Sequence, residues 1–266
     1  MVLKVQDLTK EYGDTTALSG VSFEIPDGSF AVLLGESGAG KSTLLRILNG
    51  LTEPTSGSVY LDDQRITCSR ADVGMVFQQH NLVDELSAYD NALTGTFNRT
   101  GLLRSLLNLQ PAEDRTLALE ALDTVGLLDE AGQKVERMSG GQQQRVGIAR
   151  ALVQQPALLL ADEPVASLDP ASAETVMTYF RETAKERDLT TLASLHQVNI
   201  AREFGERFIG LRDGEVMFVG SRSELTPSIL EEIYGEIQTE ELREGTEATD
   251  SNESIQNETP NVGTEL

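Results

Sequence analysis

Residues 35–42 read Gly35-Glu-Ser-Gly-Ala-Gly-Lys-Ser42 and fit the pattern G-x-x-x-x-G-K-[ST]. The apolar run of residues 30–34 precedes this stretch and predicts a strand, while residues 43–48 can begin a helix. Glycines let a backbone wrap a phosphate chain without Cβ clashes, and the start of a helix directs amide N–H groups toward it. The stretch therefore predicts a strand, a phosphate-binding loop and a helix, against the alternative of an ordinary glycine-rich turn.

Two side chains of this loop carry chemistry. Lys41 can neutralise the β and γ phosphates of a nucleoside triphosphate, and the Ser42 hydroxyl can complete the shell of a Mg²⁺ ion. ATP and Mg²⁺ are therefore the expected ligands. The nucleotide-binding residues expected from the loop are Gly35, Glu36, Ser37, Gly38, Ala39, Gly40, Lys41, Ser42 and Thr43.

Short apolar runs alternate with helical patterns on both sides of the loop, which predicts a layered α/β fold with a P-loop core. These runs are residues 21–25, 30–34, 59–61, 73–77, 157–161 and 191–195. Two later runs, residues 208–211 and 216–219, flank Asp213-Gly214, a pair that readily takes the positive φ angles of a tight hairpin. We therefore expect a mixed sheet with an antiparallel edge.

The strand pattern stops between residues 84 and 138, where Pro111 opens a stretch with helical spacing of its apolar residues. We interpret about residues 84–155 as a helical subdomain inserted into a sheet domain that spans residues 1–235. Residues 236–266 carry nine acidic residues and one arginine, with almost no large apolar side chains. This composition predicts an acidic disordered tail.

A pair of carboxylates, Asp162 and Glu163, follows the apolar run of residues 158–161. Ligands of open α/β sheets gather at the carboxyl ends of the strands, and alternation along a strand sends adjacent side chains in different directions. Asp162 is suited to hold Mg²⁺ through water, and Glu163 to accept a proton from an attacking water. Alone, such a pair is more often a solvated strand end, but the loop in the same chain favours the catalytic interpretation.

A second anion-binding helix start is predicted at Ser139, Gly140, Gly141 and Gln142, which precede an amphipathic run. Two phosphate-binding helix starts in one domain make sense if the second serves the nucleotide of another subunit. This implies a two-fold, head-to-tail dimer. The motif resembles the Leu-Ser-Gly-Gly-Gln signature of the ATP-binding subunits of ABC transporters, with Met138 replacing the leucine in a volume-conserving change.

The resemblance to ABC ATPases covers about residues 1–235 and implies roles for four more residues. Tyr12 resembles the aromatic residue that stacks on adenine, and Gln78 the glutamine that reaches Mg²⁺ and the attacking water. Ser167-Leu-Asp169 resembles the loop that crosses the dimer interface, and His196 resembles the histidine that contacts the γ-phosphate and holds Glu163 and its water in line. A surface tyrosine, a polar loop residue and an ordinary helix start remain alternatives for Tyr12, Gln78 and Asp169.

Other segments most resemble the ATPases of phosphonate importers. They are Gln78-Gln-His-Asn-Leu-Val83, Ala161-Asp-Glu-Pro-Val-Ala-Ser-Leu-Asp-Pro170, Ser194-Leu-His-Gln-Val198, Ile209-Gly-Leu-Arg-Asp-Gly214 and Glu231-Glu-Ile-Tyr-Gly235. The resemblance implies that two copies dock on two transmembrane permease subunits at the cytoplasmic face of the membrane. An extracellular phosphonate-binding protein would deliver the substrate. The insert after Gln78 would receive the coupling helices of the permeases.

The charge balance disfavours nucleic acid as a partner bound by bulk electrostatics, with specific contacts still possible, and it suggests a salt-rich environment. The chain has 43 acidic and 21 basic residues among 266, a formal net charge of −22. Because a polyanion would be repelled, binding of nucleic acid by bulk electrostatics is disfavoured. Five lysines against 16 arginines, together with this charge, support the hypothesis of a salt-rich cytosol, with an ordinary acidic mesophilic protein as the alternative.

The rest of the composition favours a cytoplasmic chain. No apolar run approaches the roughly 20 residues needed to cross a bilayer. Residues 1–7 lack the apolar region and the small-residue cleavage site of a secretory signal. Cys68 is the single cysteine, which excludes an intrachain disulfide and a cysteine-rich metal site.

The sequence leaves three other functions open. An importer for another oxyanion or for an amino acid would share every ATP-site residue. A soluble ABC machine acting on DNA or ribosomes would usually need a coiled-coil insert or tandem ATPase halves, and neither is visible. A P-loop kinase would bind ATP but would not need residues 139–142.

Overall fold

The structure is a computed structural model that describes residues 2–78, 81–97 and 111–235. The strands among these residues are β1 (Leu3–Tyr12), β2 (Thr15–Ile25), β3 (Phe30–Leu34), β4 (Ser56–Leu61), β5 (Gln64–Arg65), β6 (Val73–Val76), β7 (Leu158–Asp162), β8 (Thr190–Ser194), β9 (Arg207–Arg212) and β10 (Glu215–Ser221). The α-helices are α1 (Lys41–Leu48), α2 (Ala88–Leu93), α3 (Ala112–Thr124), α4 (Gly140–Val153), α5 (Pro170–Glu186), α6 (Val198–Phe204) and α7 (Pro227–Tyr234). Short 3₁₀ turns cover Thr94–Thr96, Val135–Arg137 and Arg222–Glu224.

The strands form two sheets, and the larger one is mixed as expected. Its order is β10-β9-β3-β8-β7-β6. The strands from β9 to β6 run parallel, and β10 pairs antiparallel with β9 at the edge. Asp213 and Gly214 turn this hairpin with φ angles of 50° and 80°, so the predicted hairpin is confirmed. The smaller sheet is antiparallel, with order β2-β1-β4-β5.

Strand β3 separates two hydrophobic cores because its side chains alternate between the faces of the sheet. Phe30, Val32 and Leu34 face a core built with α2 to α7. Ala31 and Leu33 face a second core, in which α1 and the smaller sheet pack. Strand β3 is therefore fully buried between the two cores, and residues 35–42 follow its carboxyl end.

Most predicted elements are confirmed with bounds shifted by one or two residues. Strand β1 was not predicted, because its alternation of apolar residues breaks at Asp7, which has a φ of 46° and lies at a register shift. The short β5, of two exposed residues, carries no apolar signal either. The described part of residues 84–155 holds α2, α3 and α4, whereas residues 98–110 and the predicted tail at 236–266 lie outside the described residues. Among the described helices, none combines the length and hydropathy of a membrane-spanning segment.

Candidate functional site

The predicted catalytic residues converge at one edge of the larger sheet. The loop of residues 35–42 follows β3, Gln78 comes two residues after β6, Asp162 ends β7 and His196 comes two residues after β8. These four strands are parallel, so their carboxyl ends lie on the same side. The topology therefore brings together side chains that are more than 100 residues apart in the chain.

The loop backbone needs glycine at its two ends. Gly35 has a φ of 150°, and a Cβ there would lie 2.3 Å from the carbonyl oxygen of Leu211. Gly40 has a φ of 101°, and a Cβ there would lie 2.6 Å from the carbonyl oxygen of Ala17. Since backbone atoms crowd both positions, any larger residue would displace the loop. Helix α1 begins directly after Gly40, with the amide of Leu44 donating to the carbonyl of Gly40.

Lys41 is buried at the centre of the loop, with 4% of its surface exposed. Its Nζ donates to the carbonyl oxygens of Gly35 at 2.7 Å and Glu36 at 2.9 Å. Burial lowers the pKa of Lys41, and the nearby carboxylates of Glu163 and Asp162 oppose this shift. The side chain places a positive charge under the loop, where a phosphate chain would need it.

Glu163 is the centre of a polar cluster. Its Oε1 lies 2.6 Å from Nε2 of His196 and 4.0 Å from Nζ of Lys41. Its Oε2 accepts a hydrogen bond of 3.1 Å from Nε2 of Gln78. Because an ionised carboxylate can only accept, Nε2 of His196 is the donor to ionised Glu163, and this nitrogen then has no lone pair for Lys41 at 3.5 Å.

Asp162 and Glu163 do point in different directions, but for another reason than strand alternation. Glu163 has a φ of 48°, in the left-handed region, which turns the chain as it leaves β7. Asp162 is buried, and its Oδ1 accepts hydrogen bonds of 3.0 Å from the hydroxyls of Ser42 and Ser194. A non-glycine residue in this conformation is uncommon and tends to mark functional sites.

Ser194 is a site residue that the sequence analysis missed. It is fully buried at the end of β8, and its hydroxyl accepts from the amide of Glu163 at 2.9 Å while donating to Asp162. One hydroxyl thus holds the backbone of Glu163 and the carboxylate of Asp162. Its position two residues before His196, at the carboxyl end of a predicted strand, was the signal that could have identified it.

The oxygen atoms around Ser42 fit a magnesium ion. A hydroxyl and a carboxylate lie 3.0 Å apart, and Mg²⁺ is usually held by one or two carboxylates together with water and substrate phosphates. In the described part of the chain, no group of three or more His, Cys, Asp or Glu side chains could hold a metal alone. A phosphate-dependent site is therefore the kind of metal site that these residues suit.

Within one chain, residues 139–142 lie against the start of α5 and not against the phosphate-binding loop of residues 35–42. Ser139 caps α4, accepting from the amide of Gln142 at 3.3 Å, while the Gln142 side chain accepts from the amide of Ser139 at 3.0 Å. A Cβ at Gly140 or Gly141 would meet Leu168 or Ser172 at 3.4 Å. A groove of about 250 Å³ lies between Ser139, Gly141 and Gln142 on one side and the start of α5 on the other.

Asp169 caps α5 by accepting from the amide of Ser172 at 3.1 Å, with Pro170 as the first helical residue. The ordinary helix start proposed from the sequence is therefore present. Hydrogen bonds from Ser172 hold the pKa of Asp169 below its ordinary value. The other predicted role, at an interface between two copies, stays a prediction.

Tyr12 lies at the end of β1 with half of its surface exposed. Nζ of Lys10 lies 4.8 Å from the centre of its ring. Tyr12 pairs with Thr15 across the hairpin, and Ala17 of the same hairpin packs beside Gly40. The ring therefore stands on the hairpin that borders the loop, although it is not part of the cluster around Glu163.

The ABC transporter family matches residues 18–166 of the chain. The chain is 64% identical to the phosphonates import ATP-binding protein of Halobacterium salinarum, over 92% of this chain and 88% of that protein. It is 62% identical to a protein of the same description from Haloquadratum walsbyi, over 89% and 84%. It is 48% identical to another from Thiobacillus denitrificans, over 87% and 92%.

Two solved structures are similar to the described fold. One is an ATP-binding cassette solved as a dimer in a post-hydrolysis state with ADP and phosphate, at 37% identity and a TM-score of 0.71, covering 83% of this chain and 98% of that one. The other is a Clostridium perfringens protein described as part of an ABC transporter complex, at 31% identity and a TM-score of 0.75, covering 84% and 89%.

Proposed function

Because the chain belongs to the ABC transporter family, we propose that it is the ATP-hydrolysing subunit that drives import of phosphonates or related phosphorus oxyanions. Relatives that are 64%, 62% and 48% identical over most of the chain are all described as phosphonates import ATP-binding proteins. The haloarchaeal sources of the first two also fit the salt-rich cytosol that the acidic composition favours.

The cluster around Glu163 carries the enzymatic part of this proposal. A carboxylate in contact with His196, Gln78 and Lys41 stands beside a phosphate-binding loop at the carboxyl ends of four parallel strands. Phosphoryl transfer needs a positioned nucleophile and positive charge at the transferred group, and it needs little covalent chemistry from the protein. The cluster offers a proton acceptor and a cation within 4.0 Å of each other.

Each side chain has a defined part in hydrolysis. Glu163 accepts a proton from a water whose oxygen attacks the γ-phosphorus of ATP, the bond to the β-phosphate oxygen breaks, and ADP and phosphate leave. Lys41 neutralises charge on the β and γ phosphates. His196 holds the Glu163 carboxylate through the 2.6 Å contact and reaches the γ-phosphate. Gln78 orients the same carboxylate and the water from the opposite oxygen.

Ser42, Asp162 and Gln78 would hold Mg²⁺ together with the phosphates. The ion would neutralise phosphate charge during the transfer. Ser194 keeps the Asp162 carboxylate oriented toward Ser42 by its own hydrogen bond. Ser42 and Asp162 are therefore already oriented in the folded chain before the nucleotide binds.

The active assembly is a head-to-tail dimer that holds ATP between two copies. The loop of residues 35–42 in one copy faces Ser139 to Gln142 and Asp169 of the other, and Tyr12 stacks on adenine. The separation of the Ser139 cap from the loop within one chain supports this arrangement, as does the dimeric form of a similar cassette. The nucleotide closes the dimer, and hydrolysis followed by release reopens it.

Two permease subunits complete the transporter, with this chain bound peripherally at the cytoplasmic face of the membrane. The insert that follows Gln78 contacts the permeases, and an extracellular binding protein delivers the phosphonate. Val83 and Leu86 in this insert are large apolar residues with 47% and 36% of their surface exposed. Such residues are suited to packing against a partner protein.

Substitution Glu163→Gln tests the catalytic assignment. The amide keeps the shape of the side chain but cannot accept the proton, so we expect ATP affinity to persist, a closed dimer to accumulate and turnover to fall at least about 100-fold. ATP binding, size-exclusion chromatography with Mg-ATP and phosphate release measure these three quantities. Glu186→Gln, an exposed change at the end of α5, is the matched control. Hydrolysis at the wild-type rate in Glu163→Gln would remove Glu163 from the role of base.

The transported substrate needs the intact complex. The chain should be purified with its permeases and reconstituted with the binding protein, and ATP hydrolysis should then be measured with phosphonates, phosphate, other oxyanions and amino acids. We expect phosphonates or a related phosphorus oxyanion to stimulate hydrolysis. Stimulation by amino acids alone would contradict the substrate class while leaving the ATPase assignment intact.

A further inference from the structure

Two segments that the sequence analysis singled out have no part in the chemistry above, although they meet the phosphate-binding loop. They are residues 209–214, which end β9 and enter the hairpin turn, and residues 231–235, which end α7. Through contacts with the loop and with each other, these two segments connect β9 and α7 to residues 35–42.

The turn between β9 and β10 lies directly against the loop. The amide of Gly214 donates to the carbonyl of Ala39 at 3.2 Å. The carbonyl of Leu211 occupies the space where a side chain at residue 35 would otherwise project. The same turn also contacts β2, since the amide of Ser19 donates to the carbonyl of Gly214 at 2.9 Å, so the turn, the loop and the hairpin of β1 and β2 pack together.

Helix α7 is seated on β9 by complementary residues. A Cβ at Gly210 would lie 2.3 Å from Cδ1 of Ile233, so the missing side chain makes room for this isoleucine. Nη1 of Arg212 donates to the carbonyl of Glu232 at 2.8 Å and holds the end of the helix. These contacts fix the position of the next residue, Tyr234.

The hydroxyl of Tyr234 reaches the first residue of the loop. It accepts a hydrogen bond of 3.2 Å from the amide of Gly35, in a buried position with 4% of the tyrosine exposed. Burial raises the pKa of Tyr234 to about 12, with the hydrogen bond from Gly35 acting in the opposite direction and Glu36 adding to the rise. The group is therefore a neutral phenol at neutral pH, able to accept this bond and to keep its own proton.

We propose that Tyr234 is a positioning residue for ATP binding, which holds Gly35 so that the loop keeps the conformation that receives phosphates. The inference rests on the proposed function of residues 35–42. Without the hydroxyl, a buried amide at the start of the loop loses its acceptor, and such a group moves until it finds another partner. The loop then has to be reordered each time a nucleotide binds.

Substitution Tyr234→Phe tests this role because it keeps the ring and removes only the acceptor. We expect the KM and Kd for ATP to rise about tenfold, which corresponds to about 1.4 kcal/mol, with kcat within about twofold of wild type. Tyr179→Phe makes the same chemical change on α5 and should leave both constants unchanged. ATP affinity equal to wild type in Tyr234→Phe would overturn the proposal, even if the melting temperature without nucleotide falls.

Gly210→Ala gives an independent test through the helix. The added Cβ must shift the Ile233 side chain, which seats the end of α7 that carries Tyr234, so we expect the same rise in KM. In the Tyr234→Phe background, Gly210→Ala should raise KM no further, because the two changes act on one contact. Full additivity of the two effects would overturn the proposal.

Lys41→Ala separates failure of this inference from failure of the proposed function. It should abolish ATP binding in the same assay if the loop is the phosphate site. Unchanged ATP affinity in Lys41→Ala would contradict the proposed function itself. Loss of affinity in Lys41→Ala with wild-type affinity in Tyr234→Phe would contradict only the role of Tyr234.

Discussion

Ser194→Ala should damage the active site more than any other loss of a single hydroxyl on β8. The change leaves the amide of Glu163 without its acceptor and removes one hydrogen bond to the buried Asp162 carboxylate. A buried unpaired amide costs about 1–3 kcal/mol, and a hydrogen bond to a charged group is worth about 1.5–3 kcal/mol. We therefore expect the free energy of unfolding to fall by about 3 kcal/mol, and the melting temperature by about 6–12 °C for a domain of this size.

The activity should fall as well, because Asp162 and Glu163 share this one anchor. We expect kcat for ATP hydrolysis to drop about tenfold or more at a temperature where the variant remains folded. Thr191→Val is the matched control, since Thr191 is equally buried on β8 and its hydroxyl donates to the carbonyl of Leu189 over a long distance of 3.5 Å. Denaturation curves and steady-state kinetics on both variants give the comparison. If Ser194→Ala lowers the free energy of unfolding no more than Thr191→Val does and keeps the wild-type kcat, Ser194 is not the shared anchor of Asp162 and Glu163.

Two further predictions concern charge. Asp169 has its pKa lowered in the folded chain, so its ionised form adds stability above the pKa of the unfolded state, and this stability is lost as the pH falls through the lowered value. Asp169→Asn, which retains a capping oxygen, should be less stable than wild type at neutral pH and equal to it at a pH below the lowered pKa of Asp169. Denaturant titrations at the two pH values check this, and a gap that persists in acid would contradict it. The net charge of −22 predicts that the melting temperature rises from low to molar KCl, where the Debye length falls to about 3 Å. A melting temperature that stays level or falls would contradict the salt-rich hypothesis.

The central part of the fold could be predicted because local signals there agree with the tertiary structure. The run Phe30–Leu34 is apolar throughout, as a strand buried on both faces requires, and the loop pattern specifies the turn and the helix after it. Asp213-Gly214 specified its hairpin by the φ angles it adopts. At each of these positions the backbone conformation is decided by residues close in sequence.

The elements that could not be predicted depend on contacts between distant residues. Strand β1 bulges at Asp7, so its apolar residues lose the period of two that identifies a strand. In the sequence, Ser194 is a serine at the end of an apolar run and Tyr234 is a tyrosine near the end of a helix, and neither pattern indicates a functional role. Their roles follow from partners 31 and 199 residues away. The sequence can place functional residues at strand ends, but it does not say which neighbours support them.

Two residues that follow β6 contact the two parts of the site that the proposed dimer would combine. Gln78 donates to Glu163, and the carbonyl of Asn81 accepts a hydrogen bond of 2.6 Å from Arg150 on α4. Helix α4 is the helix that Ser139 caps. On the proposed dimer, a permease that pushes on the residues around Gln78 and Asn81 would therefore move Glu163, the proposed base of one ATP site, and α4, whose cap at Ser139 is proposed to serve the other site. One docking event then reaches both nucleotides, which gives a physical reason for the insert to begin soon after Gln78 and to carry Ser139 and α4.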